Sequence, residues 1–111
     1  MKLNPKSMAN KYALSSSTDM DIQEITKYSI LNFGESQTNQ YLNGLEESLD
    51  ILANNPGLGI PLTHPNKTTV NKGTEYYYFH YISHVIYFKK RADDIFIIRI
   101  LHKRMLPKKY L

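Results

Sequence analysis

The chain has 111 residues, of which 41% are apolar and 22% charged, so it is sized for one domain with a modest core. This composition excludes a disordered chain, and no apolar run reaches the roughly 18 residues of a membrane span. With no cysteine there is no disulfide, thiolate metal site or cysteine nucleophile, which fits a reducing, cytoplasmic setting.

The net charge of +4 is unevenly placed. Residues 19–50 hold seven acids against one base, whereas residues 89–111 hold eight bases against two acids. The second stretch suits an acidic partner: nucleic acid, an acidic protein or an acidic peptide.

In chain order, Met1 to Asn10 is polar and aperiodic, has no signal-peptide core, and reads as a flexible extension before a domain over 11–111. Tyr12 and Leu14 alternate with Ala13 and Ser15, the pattern of a short strand. Ser15 to Thr18 offers several N-caps for a helix over about 19–33, with Ile22, Ile25 and Phe33 near one face and Gly34 at its end. Ser36 is placed to cap a second helix, whose Tyr41, Leu42, Leu45, Leu49, Leu52 and Ala53 share a face. So short a break predicts an antiparallel helical hairpin. Asn54 to Gly59 ends it, and residues 60–74 read as a surface loop.

Three β-like runs follow: Glu75 to Tyr81, Ser83 to Lys90 and Ile95 to His102. Their short connections predict antiparallel hairpins. The last run is apolar at nearly every position, as expected of a central strand with helices on one face and the other partly covered. The predicted fold class is α+β: an N-terminal strand and a helical hairpin packed on a small, mainly antiparallel sheet.

No histidine pair has a helical zinc spacing, the glycines form no phosphate loop, and no metal or cofactor is expected. The acids of both helices read as solvated faces. His84 reads as a hydrogen-bonded strand-end histidine within reach of His102. Arg99, His102, Lys103 and Arg104 form the strongest chemical cluster: cations for a developing phosphate charge beside a group able to move a proton, or a basic end that docks an acidic partner. The nine tyrosines, Tyr76, Tyr77 and Tyr78 among them, suit sheet packing, interfaces or base stacking.

Several of these residues carry a resemblance. The run Asp21 to Tyr28, then Phe33-Gly34, Gln37, Tyr41, Leu45, Leu49, Leu52-Ala53, Asn55-Pro56 and Leu58-Gly59 resembles the ParE toxins of the RelE/ParE superfamily. His84 to Phe88 and Ile97 to Met105 resemble that family's C-terminal signature. Two departures are visible: Leu106-Pro107 follows Met105 where the family commonly has an acid, and Glu75-Tyr76-Tyr77 replaces Gly-Tyr-Arg.

The resemblance implies a type II toxin paired with a ParD-like antitoxin as a hetero-oligomer. It implies inhibition of DNA gyrase and not hydrolysis, with DNA reached only through gyrase or the antitoxin. Target contact is expected from Arg99, His102, Lys103, Arg104, Met105, Lys108 and Lys109. Antitoxin contact is expected from Tyr41, Leu45, Leu49, Leu52, Tyr77, Phe79 and Tyr87. The alternative is the RelE branch's ribosome-dependent mRNA cleavage, for which Tyr87, Arg99, His102 and Lys103 are the candidates. A third reading is a non-toxic relative that serves only as an antitoxin partner or corepressor.

Overall fold

A computed structural model describes residues 12–62 and 75–111. The expected extension over 1–10 and most of the expected loop over 60–74 lie outside them. Strand β1 (Tyr12–Leu14) leads into helices α1 (Ser16–Phe33) and α2 (Glu35–Asn54), a 3₁₀ turn at Pro56–Leu58 and strand β2 (Ile60–Pro61). Strands β3 (Tyr77–Tyr81), β4 (His84–Lys90) and β5 (Ile95–His102) follow, then a second 3₁₀ turn at Pro107–Lys109. The sheet order is β1-β5-β4-β3-β2; β1 runs parallel to β5 and the other pairs are antiparallel. This is the predicted α+β architecture. Ile60–Pro61, expected within a loop, instead forms a short edge strand on Tyr77 and Tyr78.

Helix α1 starts three residues earlier than its acidic first turn suggested, because Ser15 is the cap. Its Oγ accepts the Thr18 amide at 3.0 Å and lies 2.8 Å from the Ile98 carbonyl. Thr18 Oγ1 donates to the Ile97 carbonyl at 2.9 Å, so the helix start is stitched to the edge of β5.

Helix α2 is not capped by Ser36. Gly34 serves both helices: its amide donates to Ile30 and its carbonyl accepts the Thr38 amide and hydroxyl. Its φ of +86° is one that glycine adopts without strain, which lets the chain reverse in one residue.

The core lies between the hairpin and the sheet. Leu45, Leu49, Leu52, Ile86, Phe88 and Ile97 are fully enclosed there, with Ile22, Ile25, Leu42, Ile95 and Ile100 around them. Phe33, expected on the buried face, is 57% exposed. Gly44 sits mid-helix despite glycine's cost of about 1 kcal/mol there. Tyr81 explains it: a Cβ at Gly44 would collide with the Tyr81 hydroxyl, which donates to the Tyr41 carbonyl at 2.7 Å.

A bulge accounts for the unbroken apolar run of β5. Tyr87 pairs with Arg99 and Phe88 with Ile97, so Ile98 has no partner. The extra residue flips the alternation. Ile95, Ile97 and Ile100 join the main core, while Leu101 joins Val85 and Tyr87 in a smaller cluster with Leu62, Tyr78, Met105 and Leu111. Residues 105–111 thus help cover the far side of the sheet. Among the described residues, no helix is long and apolar enough to cross a membrane.

Candidate functional site: an apolar groove with a cationic rim

Strand β1 pairs only with Ile95 to Ile97, so the second half of β5 has no strand on that side. Helix α1 partly seals this edge: the Ile100 amide donates to Asp21 Oδ2 at 2.9 Å. Past Asp21 the hairpin and the sheet diverge and leave an open groove of about 710 Å³. Ile25, Tyr28, Phe33, Tyr41, Ile100 and Met105 give it apolar walls.

Two polar assemblies line it. Arg99 makes a bidentate pair with Asp21, both contacts at 2.8 Å, with side chains only 21% and 12% exposed. Its guanidinium also lies 5.5 Å from the centre of the Tyr110 ring. One arginine therefore ties β5 to α1 and to the C-terminal segment.

The second assembly centres on Tyr41. The Ser83 amide donates to its hydroxyl at 3.2 Å, and that hydroxyl lies 2.7 Å from His84 Nδ1 against 3.5 Å from the Tyr81 carbonyl. Along the shorter contact the Tyr41 hydroxyl donates to Nδ1 of a neutral His84, the tautomer with its own proton on Nε2. Burial, and then neighbouring His102, push the His84 imidazole down to about 4, with Asp21 opposing them. The two imidazoles meet edge to face across β4 and β5 with centroids 5.6 Å apart. This bears out both the strand-end reading of His84 and its approach to His102. His102 Nδ1 accepts the Arg104 amide at 3.2 Å.

The predicted site residues separate into distinct locations. Tyr41, Arg99, His102 and Met105 line the groove. Lys103, Arg104, Lys108 and Lys109 are exposed and make no ion pair among the described residues. Arg99, expected as a target contact, is paired with Asp21. Leu45, Leu49 and Leu52 are fully buried core residues, so they support the hairpin and offer a partner no surface. Tyr77 stacks on Phe88 toward the opposite end of β4, and Phe79 packs on the main core.

Tyr87 is buried in the smaller cluster, on the face of the sheet opposite His84 and His102. The set Tyr87, Arg99, His102 and Lys103 is therefore split between two faces and is not gathered around one reaction point.

Asp21, Tyr28, Phe33 and Ser83 belong to the groove but escape sequence reasoning as site residues. Asp21 is not part of a solvated acidic face; its partner lies 78 positions away. Tyr28 and Phe33 carried a usable signal, being aromatic residues five apart at the end of a helix. Among the described residues, no group of three or more metal-ligating side chains is present.

The apolar groove thus lies beside an exposed basic segment, on a helical hairpin over a small sheet. The family described as "ParE toxin of type II toxin-antitoxin system, parDE" matches residues 12–107, and the chain belongs to that family. It is similar to Toxin ParE1 of Mycobacterium tuberculosis in strains CDC 1551 / Oshkosh and H37Rv. Each is 27% identical over 101 residues, covering 88% of this chain and 94% of the relative.

Proposed function

We propose that this ParE-family toxin is held inactive by a ParD-like antitoxin seated in the groove, and that when released it inhibits DNA gyrase through the cationic rim. One observation carries the reading: the groove and the rim are continuous. His102 and Met105 line the groove, while Lys103 and Arg104, between them in sequence, are exposed. An acidic, amphipathic antitoxin segment placing apolar side chains between Tyr28, Phe33, Tyr41 and Ile100 brings its carboxylates to that rim. Occupation of the groove then hides the target-facing cations without a change of fold. Membership of the ParE family and likeness to Toxin ParE1 support the reading.

The experiment is gyrase supercoiling with the purified chain. Inhibition that antitoxin reverses at stoichiometric amounts supports the proposal; full supercoiling at excess toxin contradicts it.

A further inference from the structure

Strands β3 and β4 are joined by Ile82 and Ser83 alone, and Ile82 takes a φ of +47°. Among the described residues it is the single non-glycine with positive φ. Glycine, asparagine and aspartate favour such positions, whereas a β-branched side chain is strained there. The Ile82 side chain is also 68% exposed. Both features oppose an isoleucine in the isolated chain.

The backbone shape of this turn is imposed from outside it. The Ser83 amide donates to the Tyr41 hydroxyl at 3.2 Å, and the Ser83 carbonyl accepts the Lys103 amide at 2.9 Å. Neither bond uses the Ile82 side chain, so asparagine or glycine would serve the turn with less strain. The Lys103 bond fixes the rim next to the turn, and Arg104 follows, held through His102. Ile82 is thus an exposed apolar knob one residue from the backbone bond that joins Ser83 to Lys103, at the edge of the groove lined by Ser83 and His84, and Lys103 and Arg104 are themselves exposed.

We propose that Ile82 is a specificity anchor for the antitoxin, captured by an acidic segment whose apolar side chains enclose it and whose carboxylates meet Lys103 and Arg104. This rests on the antitoxin reading above and names the chemistry of the contact. The complementary charge favours this occupant over a two-fold pairing with a second copy of the chain, which would set rim against rim. The strain is tolerated because the exposed side chain is needed in the complex.

The test uses the full chain and a ParD-like antitoxin, with binding by calorimetry and stability by thermal melting. Ile82→Asn is expected to raise Tm by about 2–5 °C while weakening the antitoxin at least about tenfold. Ile82→Leu, which keeps the apolar knob, is expected to stay within about threefold of wild type. Wild-type binding is expected to weaken with added salt.

A stabilised Ile82→Asn that binds the antitoxin like wild type overturns the anchor and leaves the groove reading standing. A destabilised Ile82→Asn contradicts the strain argument and overturns it too. A wild-type dimer that dissociates in Ile82→Asn assigns the knob to self-association and overturns the proposal, as does loss of gyrase inhibition with antitoxin binding intact. Failure of the wild type to bind antitoxin at all overturns the groove reading itself.

Discussion

The helical hairpin meets the sheet in two different ways along its length. Toward the start of β4 and the end of β5 it stands off, leaving Tyr28 and Phe33 62% and 57% exposed. Over the central part of the sheet, Leu45, Leu49, Leu52, Ile86 and Phe88 leave no accessible surface. The same two helices therefore build a closed core and an open groove. A closed contact is optimised within the chain, whereas an open apolar one has unused burial that a partner can supply.

Substitutions should divide along this line. The largest loss is expected in the sealed part: Leu49→Ala leaves a cavity and should lower stability by about 3–5 kcal/mol in urea unfolding. Next is Asp21→Ala at the junction, which strands the part-buried Arg99 and the Ile100 amide. A loss of about 2–3 kcal/mol is expected, and a change below about 0.5 kcal/mol would show that the pair does not hold α1 on β5.

Acid should act through His84, whose imidazole drops from 6.5 to about 4 on folding. The unfolded chain takes up the proton first, so stability is full above about pH 6.5 and falls as the pH drops toward about 4. Below about pH 4 both states carry the proton and the fall levels off. His84→Gln, which can still accept from Tyr41, should flatten that slope in melts across this range.

A smaller effect is expected of Gly44→Ala. It gains helix propensity but displaces the Tyr81 hydroxyl, for a net loss of about 1 kcal/mol by thermal melting. The smallest stability change, within about 0.5 kcal/mol, belongs to Lys108→Ala with Lys109→Ala, whose expected effect is on gyrase inhibition instead.

The sealed part was largely legible in the sequence, because helical periodicity and strand runs are local signals. The face of α2 carrying Leu42, Leu45, Leu49 and Leu52 is the buried one, and the residues of β5 are those of the apolar run. What local pattern missed was set by contacts across the chain. The bulge at Ile98 decides which side of the sheet Arg99 and Leu101 face. Gly34 replaces Ser36 as the start of α2 because its carbonyl already serves Thr38. The Asp21–Arg99 pair joins residues 78 positions apart, so the acid looked like a solvated charge and the pairing of the cation was not foreseen. Periodicity correctly put Leu45, Leu49 and Leu52 on the buried face, and the antitoxin contact that the resemblance implied for them meets no accessible surface there.

The most direct measurement is antitoxin neutralisation of gyrase inhibition by the double variant Tyr28→Asp, Phe33→Asp, with both changes on exposed side chains at the groove. This account predicts an unchanged fold, retained gyrase inhibition and neutralisation that needs at least about tenfold more antitoxin. Neutralisation at the wild-type ratio would contradict it.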